Sequence, residues 1–331
     1  MPDLEYKNIV VTGMMRSGTT FLQQILNAHE GLCVSNQSQT KIFLDEKAKF
    51  HKHIGIDDYH LLSHYNEGGH YSLNSFVRWL QLKTNQSFFN KLDAKLSSSS
   101  CCINNGVKEV MVEEYMPYLI INNVRCLIIV RDPRDVISSM SFGLQGEEFT
   151  GKRRPVLFDL RNWRKSVQIA KSLRSRKNFM LVKFEDLLEK KYELINSIFN
   201  FLDVVPLNST EIIEVFENNL QQWKGNSSFC RRKLFDKEAI GVYKSTLPAK
   251  VSKYIEATCL EEMQYVGYQC EDAGVKERVK TIKQYIDPFE VNRLEFIQNY
   301  SSLSDNVFYE INKVHLKRNN PLVMPDSISL F

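Results

Sequence analysis

Three observations predict an α/β fold with a mostly parallel central sheet. Short aliphatic and β-branched runs recur along the chain, apolar through their centres instead of alternating, as strands covered on both faces are. Helical stretches separate them, which calls for crossover connections and parallel neighbours. The first run opens directly into a glycine-bracketed loop, "GMMRSG" (13–18), and then into a helix.

Taken in order, "NIVVTG" (8–13) is the first strand, and Phe21, Leu22, Ile25 and Leu26 share one face of the helix that follows. "GLCVSN" (31–36), "GVKEVMV" (106–112), "VRCLIIVR" (124–131) and "NFMLVKF" (178–184) are further strands. Residues 73–96 read as a helix, "SSSSCC" (97–102) as a loop, and "QGEEFTGKRRP" (145–155) as a long polar loop and candidate lid. After "CLEEMQYVGYQCED" (259–272) the pattern shifts to charged helical segments and a Pro-punctuated tail, "NNPLVMPDSISLF". The predicted organisation is a main domain over 1–270 and a helical extension and tail over 271–331. That extension would cover a sheet edge, serve an oligomer, or be dispensable.

Composition excludes several classes. The 331 residues carry 43 Lys plus Arg against 39 Asp plus Glu, a net charge of +4, too mild to argue for nucleic acid. Seven cysteines, with Cys101 and Cys102 adjacent and no Cys-x-x-Cys pair, read as reduced thiols and not as a disulfide framework or zinc site. No apolar run approaches a membrane span, and a strand near residue 8 leaves no room for a signal peptide, so a cytoplasmic location is expected.

Gly13, four residues, Gly18, then Thr19 and Thr20 is almost the phosphate-binding P-loop pattern. Loop amides and the helix N-terminus would converge on one anion there. A kinase or NTPase needs lysine after Gly18 and an acidic residue ending a later strand. Here Thr19 holds the first place and Arg131 ends the strand. Arg16, inside the loop, would neutralise a bridging oxygen without a metal, which suits a group less charged than a polyphosphate. Sulfuryl transfer fits. In "CLIIVRDPRDVISSM", Asp132 would cap a helix, Pro133 suits its first turn, and Ser139 falls about two turns in. Arg131 and Ser139 would together hold a second phosphate.

With "RSGTT" (16–20) and "RDPRDVISS" (131–139), the chain resembles the sulfotransferases that use 3′-phosphoadenosine 5′-phosphosulfate (PAPS), closer to bacterial and protein-tyrosine members than to cytosolic ones. "VKFEDLL" (182–188), "WKGNSSF" (223–229) and "GVYKSTLP" (241–248) add to the likeness, which spans roughly 7–270. The resemblance implies a P-loop, three-layer sulfotransferase-like fold with a central parallel sheet. It also implies PAPS as co-substrate, adenosine 3′,5′-bisphosphate (PAP) as product, and no metal. It assigns Arg16 and Lys108 to catalysis. Arg16, Ser17, Gly18, Thr19 and Thr20 would cradle the 5′-phosphosulfate. Arg131 and Ser139 would hold the 3′-phosphate, and Ser227 and Ser228 would lie on a loop closing over the nucleotide. Phe21 falls where some members place an aromatic ring near adenine, although its helical position equally makes it a core residue. Phe184 replaces an adenine-contacting tyrosine.

The general base is the departure. Gln37 stands where relatives carry glutamate, and Val110 where cytosolic members carry histidine. Substitutes are Asp45, Glu46, Glu109, Glu113, Glu114 and the histidines His51, His53, His60, His64 and His70. The acceptor pocket would draw on residues 37–75 and on Lys152, Arg153 and Arg154. A carbohydrate or small metabolite leads as acceptor, with lipid and protein tyrosine also open. The rival reading is a catalytically retired nucleotide binder; a nucleotide kinase is a weaker one.

Overall fold

The computed structural model describes residues 8–55, 73–82, 86–97, 104–143, 153–220, 235, 237–292 and 302–316. The first half runs β1 (Asn8–Thr12), α1 (Thr19–Asn27), β2 (Leu32–Asn36), α2 (Thr40–His53), α3 (Leu73–Leu80), α4 (Gln86–Ser97), β3 (Asn104–Lys108), α5 (Met116–Ile121) and β4 (Arg125–Val130). Then come α6 (Pro133–Ile137), α7 (Val156–Leu173), β5 (Phe179–Lys183), α8 (Phe184–Glu189), α9 (Lys191–Phe201) and α10 (Ser209–Leu220). The chain continues through α11 (Tyr243–Thr246), α12 (Ala249–Val266), α13 (Gly274–Gln284) and α14 (Leu303–Leu316).

The five strands pair in parallel in the order β2-β3-β1-β4-β5. Chain direction across the sheet reverses at β1, so the crevice outside the ends of β1 and β4 is the switch point where such sheets bind ligands. Along β1, Val10 joins one core while Ile9 and Val11 join another; on β4, Cys126, Ile128 and Val130 part from Leu127 and Ile129 in the same way. One core takes in Trp163 of α7 and Val251 and Ile255 of α12. The other takes in Leu22 and Ile25 of α1 and Ile198 of α9. Both sheet faces are therefore covered, giving three layers, and each fully buried aliphatic side chain contributes about 1.5–3 kcal/mol.

Two boundaries differ from expectation. β3 starts at Asn104 and ends at Lys108 instead of spanning 106–112. Beyond it Met111 takes a φ of 61° and Val112 N–H donates to Thr12 Oγ1 at 3.2 Å. The stretch 73–96 holds two helices, α3 and α4; the sequence between them, "QLKTN", carries no apolar face. The predicted loops at 98–102 and 145–152 and the tail from 317 lie outside the described residues.

The C-terminal helices are anchored on α7. Glu310 of α14 accepts from Arg161 Nε at 3.0 Å and from Arg164 Nη1 at 2.5 Å, and Asn306 Oδ1 accepts from Arg161 Nη1 at 2.8 Å, all buried. Among the described residues no helix is long and apolar enough to cross a membrane.

Candidate active site

The loop after β1 owes its shape to its glycines. A Cβ on Gly13 would lie 2.3 Å from the Ile129 carbonyl oxygen. Gly18 takes a φ of +95°, and a Cβ there would lie 2.4 Å from Phe184 Cδ2. Only glycine meets both demands. Arg16 between them is also left-handed, with φ 67°. The α1 helix then begins at Thr19 with no side-chain cap, so its first N–H groups face the loop. Ser17 is fully buried and its hydroxyl has no hydrogen-bond partner among the described residues. An orphaned donor at an uncapped helix start is where an anion fits.

The second predicted motif closes on the first. Arg16 Nε donates to Ser139 Oγ at 2.8 Å across 123 residues of sequence. Arg131 Nη1 reaches the Arg16 carbonyl oxygen at 3.4 Å, and its Nη2 donates to the Ala239 carbonyl oxygen at 2.6 Å. Burial, and then the nearby Arg131 charge, lower the Arg16 pKa. Two guanidinium groups thus share one crevice, an arrangement an anion between them would stabilise. Asp132 caps α6 as expected, accepting from Arg134 N at 2.9 Å. The α-helix ends at Ile137, however, and Ser139 sits in a π-helical turn over Ser138–Phe142; such turns re-aim side chains at functional positions.

Asp135 was not singled out from the sequence. It accepts from Gly241 N and Tyr243 N, each at 2.9 Å, and lies 3.7 Å from Arg131 Nη2. It ties the "GVYKSTLP" turn to the Arg131 motif. The signal was present in the i,i+4 pair within "RDPRD".

Phe21 is a core residue: its ring is 4% exposed and meets Phe184 and Phe235 edge-on at 6.1 and 5.8 Å. Phe184 lies beneath Gly18 and under the Arg131 guanidinium, 4.9 Å from it. Ser227, Ser228, Lys152 and three of the five histidines lie outside the described residues. Arg154 Nη1 sits 3.7 Å from Met15 Sδ, in the loop after β1, and 3.8 Å from Asp159.

Lys108 closes β3 opposite Val11 on one side and Asn36 on the other. Its side chain is buried, and burial brings its pKa down to about 8 against the opposing field of Glu109. Glu113 and Glu114 are committed elsewhere. Glu113 accepts from Ser166 Oγ at 2.6 Å and lies 3.1 Å from Lys165, while Glu114 pairs with Lys47. Glu46 pairs with Lys49 at 2.7 Å. Glu109 instead accepts from Gln39 N at 2.8 Å and from Thr40 Oγ1 at 2.7 Å. Gln37 is exposed with φ 48°, its N–H bonded to the Lys108 carbonyl oxygen at 2.8 Å. Among the described residues no group of three or more His, Cys, Asp or Glu side chains could hold a metal ion.

Comparison with solved structures gives the same architecture. Mouse sulfotransferase SULT7A1 complexed with PAP aligns with TM-score 0.50 at 14% identity, covering 79% of this chain and 85% of that one. The sulfotransferase domain of the Synechococcus PCC 7002 olefin synthase gives 0.48 at 18%, covering 82% and 98%. Sulfotransferase STF9 from Mycobacterium avium gives 0.46 at 13%, covering 81% and 79%. At such identities the likeness speaks for fold alone, and only the first is close enough to argue from. No curated protein sequence matches the chain. The pattern described as "Sulfotransferase family" matches residues 8–207, well over half of the chain, a stretch that includes the loop after β1 and the Arg131–Ser139 motif. The chain belongs to the sulfotransferase family.

Proposed function

We propose that this protein moves a sulfuryl group from PAPS to a hydroxyl or amine of an acceptor, releasing PAP. One observation carries the reading: Arg16 of the first loop bonds Ser139 of the second motif, beside the buried, unsatisfied Ser17 hydroxyl. One anion site on the loop and another 123 residues away suit a nucleotide with phosphate at both ends of its ribose. The PAP held by the mouse sulfotransferase supports this choice.

PAPS, when bound, supplies a sulfuryl group on a phosphate leaving group. Ser17, Gly18, Thr19 and Thr20 would hold the 5′ end through hydroxyls and N–H groups, and Arg131 with Ser139 would hold the 3′-phosphate. Phe21 enters only through packing that fixes the loop, and Ser227 and Ser228 would close over the nucleotide. Arg16 would stabilise the charge that develops on the departing oxygen. Lys108 would face the transferred group, and a nearby anion favours its ammonium form. Buried, unpaired Cys126 and Cys259 fit a reducing, cytoplasmic setting. Thr19 in the lysine position and Arg131 directly after β4 weigh against a kinase.

The test joins calorimetry with PAP to transfer of labelled sulfate from PAPS to a panel of sugars, small alcohols, amines, phenols and a tyrosine peptide. PAP binding with transfer to a panel member supports the reading. Binding without transfer makes the protein a retired binder, and no PAP binding overturns the nucleotide assignment.

A further inference from the structure

The acceptor's proton needs a destination, because an alcohol is a poor nucleophile until it loses one. At the sheet edge, most carboxylates are already engaged by cations or structural donors. Lys165 and Lys47 hold Glu113 and Glu114, Lys49 holds Glu46, and Arg134 holds Asp132 at 2.7 Å. Asp135 lies beside Arg131 and binds two backbone N–H groups. Glu109 differs: its partners are one backbone N–H and one hydroxyl, and among the described residues it forms no ion pair.

We propose that Thr40 and Glu109 act together as the proton relay of the acceptor site. The proposal rests on the sulfotransferase reading above. Thr40 opens α2 and is exposed, while Glu109 behind it is 1% exposed. The Thr40 hydroxyl points at Glu109 Oε2 at 2.7 Å, with the Gln37 carbonyl oxygen farther off at 3.2 Å. An exposed hydroxyl backed by a buried carboxylate lets the acceptor meet Thr40 while the negative charge stays inside. Placement agrees. Glu109 N–H donates to Val11 O at 3.0 Å and Met111 N–H to Gly13 O at 3.1 Å, which carries this segment along β1 to the anion loop. The β2–α2 turn lies two strand spacings from β1, about 10 Å, with Lys108 between. Burial raises the Glu109 pKa, against the hydrogen bonds from Thr40 and Gln39 and the field of Lys108, the charged group that reaches it. A stronger base than an ordinary carboxylate results.

The step balances as follows. The acceptor O–H proton passes to Thr40 Oγ1 as the Thr40 proton passes to Glu109 Oε2. The freed electron pair forms the O–S bond. The S–O bond to the 5′-phosphate breaks, and its electron pair leaves with PAP.

The experiment compares an aliphatic alcohol, which needs a base, with p-nitrophenol, which ionises unaided near neutral pH, using PAPS and the full chain. Glu109→Gln should lower turnover on the alcohol by about 10²–10⁴-fold, and turnover on p-nitrophenol far less, that smaller change reporting the altered field at Lys108. The rise of the alcohol rate with pH through the Glu109 pKa should vanish in this variant. Thr40→Val should behave alike, and Thr40→Ser should retain the alcohol rate. Because Thr40 is exposed, its two variants keep the test open should Glu109→Gln fail to fold. Equal losses on both acceptors, or full alcohol turnover in Thr40→Val, overturn the relay while wild-type activity still supports sulfotransfer. Wild type that binds PAP yet transfers to neither of these acceptors nor to any member of the panel above overturns the sulfotransferase reading itself.

Discussion

The two halves of the sheet edge treat charge in opposite ways. Around β1 and β4, burial and then the nearby Arg131 charge disfavour the charge on Arg16. Around β2 and β3, buried cations meet buried anions: Lys47 pairs with Glu114, and Lys165 lies between Glu113 at 3.1 Å and Glu114 at 3.5 Å. The first arrangement costs the empty fold something and is stabilised by an anion; the second holds α2, β3 and α7 together without a ligand. Under the proposed function, catalysis and stability would rest on different charges.

The largest expected effect breaks the paired half. Glu114→Ala leaves two buried lysines short of a partner and should destabilise the fold by about 3–5 kcal/mol, measured by urea denaturation. An unchanged midpoint would mean the cluster contributes little. Arg16→Ala should lower turnover by about 10²-fold while Tm holds or rises, since the folded crevice disfavours that charge. Arg16→Lys should keep part of the activity. A large Tm loss in Arg16→Ala would remove the contrast between the halves.

Smaller effects sharpen it. Ser139→Ala should weaken PAP binding by about 1 kcal/mol, and Arg131→Ala by about 1.5–3 kcal/mol because its bonds are charge-assisted. Neither should alter affinity for adenosine 5′-phosphosulfate, which lacks the 3′-phosphate. Calorimetry showing equal losses for both nucleotides would reassign the motif.

Lys108 gives the smallest effect, and its sign follows from linkage. Its folded pKa of about 8 lies below the ordinary lysine value, so between the two the unfolded chain binds more protons. Stability should rise with pH across that window, and Lys108→Met should flatten the rise. PAP should do the same, by drawing the ammonium back to its charged form.

Much of this was legible in sequence because both anion motifs are contiguous. "RSGTT" carries turn and cation, and "RDPRDVISS" cap and cation, each within nine residues or fewer. Apolar runs locate β1, β2, β4 and β5, whereas β3 reads NNGVK and is found only through the apolar residues that follow it. β3 ran long in the sequence reading because Met111 and Val112 are also buried, at 5% and 8%, after the strand has ended. Glu113 and Glu114 looked like free bases because nothing local reveals Lys47 or Lys165, which arrive from α2 and α7. The Thr40–Glu109 contact spans 69 residues and depends on where β3 stops, which periodicity alone does not show.

Glu310 has a consequence for how the protein is made. Arg161 and Arg164 are buried on α7, and the carboxylate that neutralises both lies near the end of the described chain. Trp163, between them, donates its indole N–H to the Arg131 carbonyl oxygen at 2.8 Å. Synthesis runs from the N-terminus, so the sheet is complete when residue 183 has emerged, with α7 still carrying two arginines that cannot be buried unpaired. These two arginines therefore gain their carboxylate partner only once residue 310 has been made. A chain cut short before α14 should leave α7, which packs behind Arg131 through Trp163, with two buried guanidinium groups lacking their carboxylate.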